Sequence, residues 1–117
     1  MSWSIYTNES GEPDRVGSGG GRIAIDEEHG YGARITLERL GEPDELDGPC
    51  AITCGIYEWM MHTCYRPSFG EAEQTYASMK AELDALVEQI PLRSDPDVDR
   101  KMSDVSDAIS AFVDRYP

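Results

Sequence analysis

The stretch CAITCGIYEWMMHTCY, Cys50 to Tyr65, holds the densest apolar and aromatic material in the chain, and its reading decides the fold. Ile52, Thr53, Ile56, Tyr57, Trp59, Thr63 and Tyr65 suit a pleated surface, while Gly55 and the lack of a clean helical stripe argue against a helix. The stretch is therefore expected to be one extended strand. Alternation then places Cys50, Ile52, Cys54, Ile56, Glu58, Met60, His62 and Cys64 on one face and Thr53, Tyr57, Trp59, Met61 and Tyr65 on the other. Both faces carry apolar bulk, which means a central strand covered twice or a strand whose second face meets a partner or ligand. Sixteen residues extend about 50 Å at the usual rise, long for a strand, so a bend or bulge is expected near Gly55.

Working outward, the 117 residues suit a single domain, 1–117, with a sheet over 1–66 and a helical pair over 68–116. The net charge is −13, from 23 acidic and 10 basic residues, and 12 of the acids and 5 of the bases precede Ser68, so the charge is spread along the chain. Such a surface repels phosphate backbones and excludes direct nucleic-acid binding, whereas a basic partner complements it. The start, MSWSIYTNES, lacks a basic region followed by an apolar core, and no window is long and apolar enough to span a bilayer, so no membrane role is expected. Three cysteines, an odd number, fit a reducing compartment, and the expected location is cytoplasmic.

Trp3, Ile5 and Tyr6 suggest a short edge strand. Gly11-Glu12-Pro13-Asp14 is a turn signal, repeated at Gly41-Glu42-Pro43-Asp44, and Gly17-Ser18-Gly19-Gly20-Gly21 leads into Arg22-Ile23-Ala24-Ile25. A phosphate-cradling loop needs Lys-Ser or Lys-Thr and then a helix, and neither is present. Alternation over 22–28 and 33–40, with His29-Gly30-Tyr31-Gly32 between, predicts a hairpin. Asp26, Glu27, Glu28 and His29 are consecutive, so as strand residues they point to opposite faces and do not converge on one ion.

Ser68-Phe69-Gly70-Glu71 has the form of a capping box and opens a helix whose apolar residues Ala72, Tyr76, Met79, Leu83, Leu86 and Ile90 recur every three or four positions before Pro91. Asp95-Pro96 begins a second, with Pro96 expected at its first position and Val98, Met102, Val105, Ile109, Phe112 and Tyr116 as its stripe. The fold class is α+β: a three- or four-stranded antiparallel sheet followed by two antiparallel C-terminal helices packed on one face. With the strands preceding the helices, no βαβ crossover exists to hold a nucleotide.

Glu58, His62 and Cys64 share a face of the expected strand and are the grouping that catalysis would use. Glu58 and His62 stand about 13 Å apart along a strand and no oxyanion stabiliser accompanies them. For zinc, Cys54 and Cys64 are about 33 Å apart in one continuous strand, and ligand spacing such as Cys-x-x-Cys is missing. No cofactor, metal or catalytic residue is therefore expected. The surface expected to matter is Tyr57, Glu58, Trp59, Met61, His62 and Tyr65, because aromatic residues rimmed by charge mark binding sites. The function this implies is a small acidic protein-interaction domain without catalysis. Its partner would be a basic protein, as for an inhibitor or immunity-type protein, or a second copy joined through the sheet. The alternative is a small-molecule pocket or minor enzyme around Glu58, His62 and Cys64.

Overall fold

The computed structural model describes residues 3–5, 17, 20–42, 44, 45 and 47–117. Strands β1 (Trp3–Ile5), β2 (Arg22–His29), β3 (Ala33–Arg39), β4 (Cys50–Ile56) and β5 (Met60–Arg66) form one sheet in sequence order, each pair antiparallel. Helices α1 (Phe69–Gln89) and α2 (Val98–Arg115) follow. The α+β class stands as read, with five strands instead of three or four. The Gly11–Asp14 turn signal lies outside the described residues, as do Pro43 of its second copy and Tyr6.

The Cys50–Tyr65 stretch is not one strand. Its chain reverses at Tyr57-Glu58-Trp59, where the Trp59 N–H donates to the Ile56 carbonyl at 2.8 Å and Glu58 takes a positive φ of 69°. The expected bend at Gly55 does not occur there; Gly55 pairs with Arg34 on one side and Met61 on the other. Three residues make the turn, so Ile56 pairs with Met60, Cys54 with His62 and Ile52 with Cys64, and the even-numbered residues of both halves still share a face. The reversal makes β5 an edge strand and brings Cys54 across from His62, overturning the 33 Å separation from Cys64.

Helix α1 lies across β3, β4 and β5 on the even-residue face of β4 and β5. Ile35, Leu37, Ile52, Cys54, Ile56 and Cys64 of the sheet meet Ala72, Met79 and Leu83 of α1, all essentially without solvent contact. Burial of a side chain of this size contributes about 1.5–3 kcal/mol, which fixes the strand register by parity. At the start of α1 the Ser68 hydroxyl accepts from the Glu71 N–H at 3.3 Å, the expected cap.

Helix α2 packs on α1 and reaches the sheet at its C-terminal end, burying Phe112 and Tyr116 in the same core. It begins two residues later than Pro96 suggests. Asp95 accepts from the Asp97 N–H at 2.8 Å and its carbonyl from the Val98 N–H at 3.1 Å, so residues 95–97 form a turn before the helix. Met102, read as part of the apolar stripe, is exposed.

Candidate functional site

Among the described residues no helix lies on the second face of the sheet, and register defines that face row by row. Ile23, Glu38, Ala51 and Tyr65 form one row; Asp26, Thr36, Thr53 and Thr63 the next; Glu28, Arg34, Gly55 and Met61 a third. Ile23 joins this face because the β2–β3 register shifts between Ile23 and Ile25.

Toward β2 and β3 the face is polar and internally bonded. Arg34 donates to both oxygens of the buried Asp26, at 2.9 and 2.7 Å, and the Thr36 hydroxyl adds a third bond at 3.1 Å. The Thr53 and Thr63 hydroxyls bond at 3.1 Å. Glu38 is 1% exposed, and among the described residues neither of its carboxylate oxygens has a hydrogen-bond partner. Gly17 lies directly over it: a Cβ there would fall 1.5 Å from Oε2, so any larger residue would have to displace the Glu38 carboxylate.

Toward β5 the face turns apolar and open. Met61 is 80% and Tyr65 61% exposed, and Tyr57, at the hairpin turn beside them in sequence, is 79% exposed. Glu58, in the same turn, is also exposed. The Tyr57 N–H donates to the Gly32 carbonyl at 2.8 Å, which brings the β4–β5 turn against the β2–β3 turn and its half-exposed Tyr31. Tyr31 went unread in the sequence because its neighbours Gly30 and Gly32 mark it only as part of a turn.

Of the six residues expected to form a surface, the structure separates two from the others. Trp59 turns back against the core and is partly buried. The reversal takes it off the strand parity that would have aligned it with Tyr57 and Met61. His62 lies on the helix side of β5, where its Nε2 meets the Tyr116 carbonyl at 2.5 Å. It ties the end of α2 to the sheet, together with Arg66, which bonds Thr75 at 3.2 Å and the Pro117 carbonyl at 3.2 Å. Tyr57, Glu58, Met61 and Tyr65 remain at the surface.

The grouping of Glu58, His62 and Cys64 is similarly dispersed. Cys64 is buried with its Sγ 3.6 Å from Met79 Sδ, and burial pushes its thiol up against the opposing pull of Arg66. Burial, with Cys64 close by, pushes Cys54 up to about 12. Both sulfurs are thus held as thiols, the unreactive form.

The consecutive Asp26–His29 residues diverge as strand alternation requires. Asp26 serves the open face. Glu27, on the helix side, accepts from the Tyr76 hydroxyl at 2.7 Å and from Lys80 at 2.7 Å. Burial raises Glu27, but these two hydrogen bonds and the Lys80 charge outweigh it and hold the carboxyl below its ordinary range. His29 is buried, accepts the Tyr31 N–H on Nδ1 at 3.1 Å and donates from Nε2 to Asp84 at 2.7 Å. Among the described residues no three His, Cys, Asp or Glu side chains converge as metal ligands, and no helix is long and apolar enough to cross a membrane.

Architecture and surface together define an α+β protein in which a five-stranded antiparallel meander is backed by a helical hairpin and presents its other face, apolar along β5. No protein-family model, curated protein or solved structure matches this chain.

Proposed function

We propose that this chain is a protein-interaction domain without catalytic activity, which engages a basic protein through the β4–β5 turn and the open face of β5. The observation that carries the reading is the exposure of Tyr57, Met61 and Tyr65 within nine residues of one hairpin, outside a core that takes up the neighbouring Ile52, Ile56, Trp59 and Cys64. Exposed aromatic and methionine side chains are over-represented at contact surfaces, and Glu58 supplies a charged rim. The net charge of −13 favours a cationic partner and speeds the encounter with it. An inhibitor or immunity protein that covers a basic enzyme is one concrete form of this role. Three free, buried cysteines suit a reducing, cytoplasmic setting.

The test is affinity capture from cell extract with two baits, wild type and the triple variant Tyr57→Ser, Met61→Ser, Tyr65→Ser, followed by titration of the captured protein against salt. The reading expects a basic protein held by wild type, lost by the variant, and bound more weakly as salt rises. A partner retained equally by both baits places the contact elsewhere and overturns it.

A further inference from the structure

We infer that β5 is a pairing edge for a second copy of this chain, joining two sheets antiparallel about Thr63 into one ten-stranded sheet and doubling the open-face surface. The inference rests on the reading of that surface as a contact site and names what completes it.

Proteins protect an exposed edge strand by making it short, bulging it, placing Pro or Lys in it, or pointing a charge outward. Among the described residues the β1 edge has three residues. β5 has seven, MMHTCYR, paired one-to-one with β4 without a register shift. It contains no Pro or Lys, and its potentially charged side chains, His62 and Arg66, are taken up on the helix side by Tyr116, Thr75 and Pro117. Among the described residues no further strand pairs with its outer edge, the Arg66 guanidinium donates to the Tyr65 carbonyl at 2.8 Å, and the open-face side chains along it are Met61, Thr63 and Tyr65.

In a chain at −13 the one acidic residue between Asp47 and Glu71 is Glu58. The hairpin therefore brings little of the chain's negative charge to a contact between copies.

The strand is also self-complementary. With Thr63 on the two-fold axis, Met61 faces the second copy's Tyr65, and the reverse, giving two sulfur–aromatic pairs that cover the most exposed apolar groups of the strand. Thr63 faces Thr63, so the row Thr36, Thr53, Thr63 runs on through the second sheet. Met60 faces Arg66 in the same register.

Sedimentation of wild type, Met61→Lys and Tyr65→Lys across concentration at low and high salt tests this, with circular dichroism to confirm folding. Wild type is expected to dimerise and to do so more tightly in high salt, since long-range repulsion is then screened. Either lysine should raise the dissociation constant by about tenfold or more, the effect of an edge-guarding charge. Thr63→Cys should form a disulfide-linked dimer on mild oxidation, the three native thiols being buried. A wild type monomeric at all concentrations and salts overturns the inference, as does a dimer that tolerates both lysines and gives no cross-link through position 63. Tyr57→Ser separates this from the broader reading, because Tyr57 lies outside the paired strand. A monomer that still loses its captured partner on Tyr57→Ser refutes pairing alone, and a β5 dimer whose partner ignores all three serines refutes the partner surface alone.

Discussion

Glu27 shows how a single residue of the acidic run 26–28 becomes structural. Its carboxylate takes hydrogen bonds from Tyr76 and Lys80 of α1, joining β2 to the helix layer at a part-buried position. Because its folded-state pKa lies below the ordinary carboxylate value, its stabilisation is present in full above the unfolded-state pKa and is lost as pH falls through the folded-state one. Glu27→Gln is expected to cost about 1.5 kcal/mol near neutral pH, the scale of a charge-assisted hydrogen bond. In denaturant titrations the gap from wild type should close as the pH is lowered below the carboxylate range; a gap constant with pH refutes the assignment. Trp59 and Tyr57, two positions apart, should behave oppositely. Trp59→Ser removes a partly buried ring and should cost about 2 kcal/mol, below the 3–5 kcal/mol of a fully buried one. Tyr57→Ser should leave stability within about 0.5 kcal/mol of wild type. Equal effects in thermal melts would contradict the placement of both.

At the scale of elements, the β4–β5 hairpin carries the main correction to what the sequence suggests. Hairpin turns are recognised by Asn, Asp, Gly or Pro, and this one is Tyr-Glu-Trp, three residues whose propensities read as strand. Glu58 accepts the positive φ that a glycine would take without strain. Glu58→Gly should therefore raise the melting free energy by up to about 1 kcal/mol, with the hairpin unchanged by circular dichroism; a destabilised variant would mean that the carboxylate itself holds the turn. The pairing of β4 with β5 also seals the cysteines. With Cys54 pushed up to about 12 and Cys50 and Cys64 also raised by burial, thiol reagents at mildly alkaline pH should react slowly with the native chain and rapidly with all three sites in denaturant. A fast native thiol would revive the activated Cys64–His62 pair. The helices were legible because spacing and caps act locally: Ser68, the Ala72–Leu86 stripe and the Val105–Phe112 stripe stand as read. Pro96 misled by two residues because Asp95 closes its own turn ahead of the helix.

For the whole molecule, the arrangement places a helix layer on one side and an open face on the other, and the sequence left undecided which side of Cys50–Tyr65 the helices would cover. Composition could not settle it, since both faces of the stretch are apolar; the choice follows from β3, whose Ile35 and Leu37 align with Ile52, Cys54 and Cys64 across the register. Met61 and Tyr65 are left outward as the consequence. Of the six candidate surface residues, Tyr57, Glu58, Met61 and Tyr65 lie at the surface, while Trp59 and His62 went to the fold through a reversal and a C-terminal contact no local pattern announces. The central claim is that this surface, and no other exposed apolar group, is where the protein meets others. Hydroxyl-radical footprinting tests it most directly, on the dilute chain, the concentrated chain and the chain with its captured basic partner. Met61 and Tyr65 should lose oxidation on concentration, and Tyr57 should join them when the partner binds, while Leu92 and Met102, exposed on the helical side, keep theirs. Protection of Leu92 or Met102 with Tyr57, Met61 and Tyr65 left as reactive as in the dilute chain would contradict the account.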